Sequence, residues 1–369
     1  MSRLKILHAA DLHLDSPFDG LSDSRAVKRR QEQRELLKRL SELAVAEQVQ
    51  LVLLPGDLFD SDSAFTETAE ELVKALGSIP VPVIISPGNH DHYSDSSPYA
   101  KLEFPKNVHI FRKNELECVI IPHLSLRVWG AAFTSNVSVG LLDGFRVEKS
   151  EGVTDILCIH GELAAESRYA PFTEAQLAAS GMDYAAFGHI HTASGLKKAG
   201  STYYAWPGCP EGRGFDETGE KYVFCVELED GECTLRPVCI AERKYEILRV
   251  DISGGEALDA VRAVLPENTE KDIYRIILCG ETAEAPDMNA LRVSLEDSFF
   301  ALSLRDETRL RRDIWERAGE DSLRGQFLAR LRAAFDNAAD DRERERITQA
   351  ARWGLAALDR REEVVSHGN

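Results

Sequence analysis

"YAAFGHIHTASG", from Tyr184 to Gly195, sets an apolar run against a glycine and two histidines separated by one isoleucine. In extended chain, residues i and i+2 point to one face. His189 and His191 would therefore face the same way at the end of a buried strand. The same punctuation recurs through the first half of the chain. "RLKIL" leads through "HAA" to Asp11 and His13, and "VQLVLL" leads through Pro55 and Gly56 to Asp57 and Asp60. "VPVIIS" leads through Pro87 and Gly88 to Asn89, His90 and Asp91, and "ILCI" leads directly to His160 and Gly161. Short aliphatic runs bounded by Pro and Gly read as buried strands. Five strands thus deliver metal-capable side chains at their carboxyl ends, where open α/β sheets bind ligands.

Helical stretches fall between these runs. Residues 24–48 carry Val27, Leu36, Leu37, Leu40, Leu43 and Ala44 on an amphipathic pattern, and "SAFTETAEELVKALGS" (63–78) reads as a second helix stopped by Gly77. Strand–helix–strand alternation points to an α/β core. Beyond Gly195, "EKYVFCVELEDGECTLRPVCI" holds two strand-like runs around the turn signal Asp230-Gly231. Residues 243–306 alternate strand, helix and strand as a small α/β module. The remainder, 307–369, is helical. Leu323, Phe327, Leu328, Leu331 and Phe335 form one apolar stripe; Ile347, Ala350, Ala351, Leu355 and Leu358 form another.

The 369 residues suffice for two or three domains, and 43% hydrophobic with 29% charged residues is usual for a soluble globular chain. No secretory leader or membrane-spanning run stands out, so the expected location is cytoplasmic with no membrane partner. The seven cysteines make no CxxC pair and read as free thiols of a reducing compartment. A net charge of −18 runs against nucleic-acid binding by the whole surface, but it does not govern a local site. From Arg25 to Arg39, seven basic residues stand against two acidic ones, a net +5. That segment is either a strip for a DNA backbone or a solvated face balancing acidic neighbours.

Asp11-x-His13, Gly56-Asp57-x-x-Asp60, Gly88-Asn89-His90-Asp91, His160-Gly161 and Gly188-His189-x-His191 together resemble the motif set of the calcineurin-like metallophosphoesterases, over about Lys5 to Thr192. The resemblance implies a two-sheet α/β sandwich flanked by helices. It implies two divalent ions, the first held by Asp11, His13 and His191, the second by Asn89, His160 and His189, with Asp57 bridging. Nitrogen and oxygen donors without thiolate suit Mn²⁺, Fe or Zn²⁺ better than Ca²⁺, and manganese is the expected metal. A metal-bridging hydroxide would be the nucleophile. His90 would steady the phosphate or protonate the leaving oxygen, with Asp91 orienting it. Asp60 either caps the following helix or supports the metals. His8 reads as a packed strand residue, and His92, His109, His123 and His367 as structural or surface groups.

"GDLFDSD" lacks the Arg that follows this motif in the family's protein phosphatases, and a long segment follows the last metal motif. "HAADLHLDSPF", "GDLFD", "GNHD", "FGHIH" and "WPGCPEGRGFDETGEK" resemble the DNA repair exonucleases of the SbcD and YhaO type. That resemblance implies a metallophosphoesterase nuclease domain (1–242), a capping domain (243–306) and a helical tail (307–369) that docks on an SMC-like ATPase. It implies DNA as substrate and a homodimer. The alternatives are a phosphodiesterase or phosphatase for a small-molecule phosphoester, and a non-catalytic scaffold for the ATPase. A complete donor set argues against the scaffold.

Overall fold

The computed structural model describes residues 3–310 and 314–358. The chain opens with β1 (Leu4–His8), α1 (Asp23–Ala46), β2 (Leu51–Leu54), α2 (Thr66–Gly77), β3 (Val83–Ile85), the short α3 (Pro98–Lys101) and β4 (Val108–Ile110). β5 (Glu117–Ile121), β6 (Leu126–Gly130), β7 (Thr154–His160), α4 (Glu174–Ser180), β8 (Tyr184–Gly188), β9 (Lys197–Ala199) and β10 (Thr202–Ala205) follow. Next come β11 (Val223–Glu229), β12 (Glu232–Val238), β13 (Tyr245–Asp251), α5 (Ala257–Val264), β14 (Ile273–Cys279) and β15 (Glu281–Thr282). α6 (Met288–Leu295), β16 (Ala301–Asp306), β17 (Arg309–Leu310), α7 (Leu323–Asp336) and α8 (Asp341–Leu358) complete the order.

Two six-stranded sheets form the main body, in the orders β12-β11-β1-β2-β3-β4 and β5-β6-β7-β8-β10-β9. Within them β1 to β4 run parallel, as do β6, β7, β8 and β10. Such strands are buried on both faces and therefore read as continuous apolar runs. Alternation decides what each residue meets. Ile6, Leu51, Leu53 and Ile84 of the first sheet pack on Val128, Ile156, Cys158, Tyr184 and Ala186 of the second. Their neighbours Leu7, Val52, Leu54, Val83 and Ile85 turn outward onto Leu36, Leu37, Leu40 and Ala44 of α1 and Leu72 and Leu76 of α2. On the far side Leu157, Ile159, Ala185 and Phe187 pack with Leu177 of α4. The expected sandwich of two sheets between helices is present. Val27 departs from the expected stripe of α1 and is 56% exposed. The Asp230-Gly231 hairpin also forms, with φ of 51° and 84°, the left-handed pair a two-residue turn requires.

The chain divides into two compact units. The first runs to Arg249 and takes in Leu265–Ile277 and Ala290–Arg305; the second comprises Val250–Val264, Leu278–Asn289 and the described residues from Asp306. The boundary runs through residues 243–306, which the sequence presents as one module. β13, β14 and β16 form a three-stranded sheet. Tyr245, Ile273 and Ala301, one from each of these strands, pack on Phe215 and Phe300 within the first unit. In the second unit α7 and α8 lie against each other, with Gly354 so close to the Phe327 ring that a Cβ there would collide with it. Leu328 and Ala351 are buried, whereas Leu323 is 73% and Trp353 51% exposed.

The basic segment of α1 does not form a continuous strip. Arg29 has no exposed surface; its Nη1 donates to Glu32 Oε2 at 2.7 Å and to Glu211 Oε1 at 2.9 Å. Arg243 Nε donates to Glu32 from the other side at 2.8 Å. Arg39 donates to the Ile240 carbonyl at 2.7 Å, and Lys38 pairs with Glu42 at 3.6 Å. Much of the charge of α1 thus answers acidic and carbonyl neighbours. Burial pushes the Glu32 carboxyl up, but Arg243 and Arg29 outweigh it and hold the group below its ordinary range. Removing one member of such a cluster leaves a buried charge unpaired. Glu32→Ala should therefore cost about 3–5 kcal/mol in urea unfolding at neutral pH. A depressed folded-state carboxyl contributes stability that is lost as pH falls through its lowered value. The gap between wild type and variant should accordingly narrow in acid.

Candidate metal centre

The parallel strands bring the five motifs to one edge of the sandwich. Asp11 and His13 follow β1, Asp57 follows β2, Asn89 follows β3, His160 ends β7, and His189 and His191 follow β8. Asp11, His13, Asp57 and His189 all adopt positive φ, of 53°, 45°, 50° and 92°. Non-glycine residues held there cost on the order of 1–3 kcal/mol each, a strain that clusters at functional sites. Hydrogen bonds hold these turns. Asp11 N donates to the Gly56 carbonyl at 3.1 Å, His13 N to that of Asp57 at 2.9 Å, and Gln33 Nε2 to that of His13 at 2.9 Å. Gly88 is required by proximity, because a Cβ there would collide with the Asp57 carboxylate.

All seven predicted donors converge. Asp11, His13 and His191 form one group whose ligand atoms lie within 4.8 Å of one another; Asp11, Asp57 and His160 form a second. Asn89 Oδ1 lies 2.9 Å from His160 Nε2 and 3.2 Å from His189 Nδ1, and His160 Nε2 lies 3.3 Å from Asp57 Oδ2. The ring orientations are set from outside. His13 Nδ1 donates to Asp60 Oδ1 at 3.0 Å, His160 Nδ1 to the Pro55 carbonyl at 3.0 Å and His191 Nδ1 to Glu217 Oε1 at 2.8 Å. Each of these partners can only accept, so each Nδ1 carries a proton and each Nε2 points inward. His13 Nε2 and His191 Nε2 then face each other at 3.1 Å. Two nitrogens at that distance share either a proton or a cation, and both are ordinary metal-ligand atoms.

The charge balance leads to the same conclusion. Asp11 and Asp57 are buried, and among the described residues their ion-pair partners are histidines alone. Burial raises the Asp11 carboxyl. Burial also opposes ionisation of Asp57, but His160 and His13 bring it below its usual range. Burial would lower His160, yet the two carboxylates lift it to about 9. Such a nest of oxygen and nitrogen donors fits divalent cations.

Other predicted residues find definite places. Asp60 serves the site and not a helix: its carboxylate binds His13 and accepts from Arg213 Nη1 at 2.9 Å, while α2 starts after Phe65 without a side-chain cap. His90 lies beside His13, ring centroids 4.9 Å apart, and its Nδ1 donates to the Asp60 carbonyl at 3.1 Å. The expected bond from Asp91 to His90 is replaced by others. The buried Asp91 carboxylate accepts from the backbone N–H groups of Gly88, Leu58 and Phe59 at 2.9, 2.7 and 3.1 Å and from the Tyr99 hydroxyl. It ties the Asp57 loop to the Asn89 loop, because short backbone donors outcompete a ring that faces solvent. His8 is packed as expected, against Tyr184 Oη and the Phe187 carbonyl, and burial pushes it down to about 3. His109 and His123 lie away from the centre, and His367 falls outside the described residues. His92, by contrast, joins Asp60, Asn89, His90, Asn136 and Tyr169 in lining a cavity of about 420 Å³.

Sequence reasoning missed Arg213, Glu217, Gln33 and Tyr169. The first two stand in the quoted stretch 206–221, but nothing in its pattern ties them to His191. Tyr169 lies against the His189 ring with centroids 4.6 Å apart. Gly88→Ala should displace the Asp57 carboxylate and weaken divalent-ion binding roughly 10–100-fold, the usual effect of disturbing a ligand's support. Calorimetric titration with Mn²⁺ would measure it.

Comparison with known proteins follows the same lines. Residues 4–193 match the family model described as calcineurin-like phosphoesterase. The chain is 26% identical over 368 residues to the uncharacterized metallophosphoesterase YhaO of Bacillus subtilis, covering 94% of this chain and 89% of that one. It is 25% identical over 311 residues to the DNA double-strand break repair protein Mre11 of Saccharolobus solfataricus, covering 75% and 76%. It is 24% identical over 270 residues to the SbcD component of the nuclease SbcCD of Bacillus subtilis, covering 62% and 67%. With its motif residues gathered at one edge of the two-sheet sandwich and the family model matched across half its length, this chain belongs to the calcineurin-like phosphoesterase family.

Proposed function

We propose that the chain is a two-metal-dependent DNA nuclease that hydrolyses phosphodiester bonds in DNA repair, acting in the cytoplasm as a homodimer with an SMC-like ATPase. The observation that carries the metal chemistry is the inward convergence of His13 and His191 Nε2 beside two buried carboxylates. Asp11, His13, His191 and Asp57 would hold one ion; Asp57, Asn89, His160 and His189 the other. Two divalent ions, when bound, supply charge for the phosphoryl oxygens and lower the pKa of water. Manganese suits the donor set.

The chain's own groups do the rest. His90 has Nδ1 occupied by the Asp60 carbonyl, which leaves Nε2 to steady a phosphate or give a proton to a leaving oxygen. Asp60 and Glu217 keep the Nε2 atoms of His13 and His191 turned inward. The choice of DNA is supported by the likeness to proteins named for double-strand break repair and for nuclease activity. The cavity that opens beside His90 offers further room for a substrate.

The capping and docking roles rest on the β13-β14-β16 sheet and on α7 and α8, with Leu323 and Trp353 as exposed apolar contacts for an ATPase coiled coil. No helix among the described residues is long and apolar enough to cross a membrane.

A Mn²⁺ assay on single- and double-stranded DNA ends should give hydrolysis that chelation abolishes. Asp57→Ala should remove it. His90→Ala should lower turnover by about 10²–10⁴-fold, the range of a lost general acid. Hydrolysis of small phosphodiesters with none on DNA, even with the ATPase present, would favour the small-molecule alternative. Truncation after Asp306 should end co-purification with the ATPase, and unchanged co-purification would remove the docking role.

A further inference from the structure

One side chain joins the supports of both histidines at the first ion. Arg213 Nη1 donates to Asp60 Oδ1 at 2.9 Å, and that carboxylate holds His13 Nδ1 at 3.0 Å. Arg213 Nη2 donates to Glu217 Oε1 at 2.6 Å, and that oxygen holds His191 Nδ1 at 2.8 Å. Nη2 and His191 Nδ1 lie 3.1 Å apart because both donate to this one oxygen. Arg213 N and Nε add bonds to Glu217 Oε2 at 2.9 and 3.2 Å. The chain His13–Asp60–Arg213–Glu217–His191 is thus a closed clasp, since the two Nε2 atoms meet at 3.1 Å. Glu217 is 5% exposed and Arg213 about one-fifth exposed, so the clasp is shielded.

We infer that Arg213 and Glu217 are positioning residues that set the affinity of the first metal position, the one built from Asp11, His13 and His191, and leave the second position unaffected. The inference rests on the two-metal reading above. A guanidinium has a planar fork that reaches two carboxylates at once, which a lysine ammonium cannot reproduce. Three of its five N–H donors are committed to Asp60 and Glu217, which places Arg213 behind the histidines as their support. Glu217 fixes the tautomer of His191, because a carboxylate accepts only from a protonated Nδ1. The local backbone holds the pair in place. Gly212 has no room for a Cβ against the Glu217 carbonyl, and Gly219 N donates to the Tyr245 carbonyl at 2.9 Å. The donors that belong to the second position alone are held from elsewhere: His160 is oriented by the Pro55 carbonyl, and Asn89 sits between His160 and His189.

The test is Mn²⁺ binding by the full chain, followed by calorimetry and by electron paramagnetic resonance. Wild type should bind two ions and show the signal of a spin-coupled pair. Glu217→Gln should weaken one of the two by roughly 10–100-fold, keep the other at wild-type affinity, and replace the coupled signal by that of isolated Mn²⁺. Arg213→Lys should shift the same ion in the same direction by less. Raising Mn²⁺ should restore the turnover of Glu217→Gln. Retained binding of the second ion reports that the variant is folded. Two unchanged sites in both variants, or equal loss at both sites, would overturn the inference alone. Failure of wild type to bind two ions would overturn it together with the two-metal reading.

Discussion

Two carboxylates, Asp11 and Asp57, lie buried between the ends of two sheets, and among the described residues only imidazoles balance them. An uncompensated buried charge is among the most costly features a fold can carry. The surroundings of this pair are organised to hold it. Backbone turns at Asp11, His13, Asp57 and His189 take left-handed conformations to aim side chains inward. Gly88 lacks a side chain where Asp57 needs the space, and Asp91 clamps the two loops with backbone hydrogen bonds. Strain of this kind persists only where the surrounding packing over-determines it. The sandwich supplies that packing through the inter-sheet core and the helices on either side.

A second buried electrostatic cluster stands behind the first. Arg29, Glu32, Glu211 and Arg243 join α1 to the chain on both sides of β11 and β12. Gln33, the residue after Glu32 on α1, holds the carbonyl of His13. Glu211 also begins the loop that carries Arg213 and Glu217 to His191. A single helix thus sets the backbone of one metal-facing histidine and anchors the loop that orients another. This gives a physical reason why Arg29 is turned into the protein.

Residues far from any motif govern the site. Asp60 is open to two readings in sequence because an acid six residues before a helix can cap it or turn away. His13 and Arg213 make the choice by offering it charge-assisted bonds, whereas α2 begins without a cap. For Asp91, adjacency in sequence suggests a bond to His90. Adjacent side chains diverge, however, and the carboxylate is drawn inward by three backbone donors and Tyr99.

Residue order alone specifies where strands end and which donors they deliver. That information is local: an aliphatic run, a glycine or proline, then Asp, Asn or His. Parallel strands carry their carboxyl ends to one edge, so metal-capable strand ends and an α/β core are legible without coordinates, and the resemblance to a known motif set adds the seven donors and the two-sheet sandwich. Long-range packing settles the rest: which nitrogen of each imidazole faces inward, what Asp60 and Asp91 hold, and the reach of Arg213 to the supports of both His13 and His191. Those contacts join residues as far apart as Arg213 and Asp60, separated by 153 positions, and such pairings leave no periodicity in the chain. Composition can count the charges of α1, but burying Arg29 and leaving Val27 exposed depends on what the folded chain places against each face of that helix.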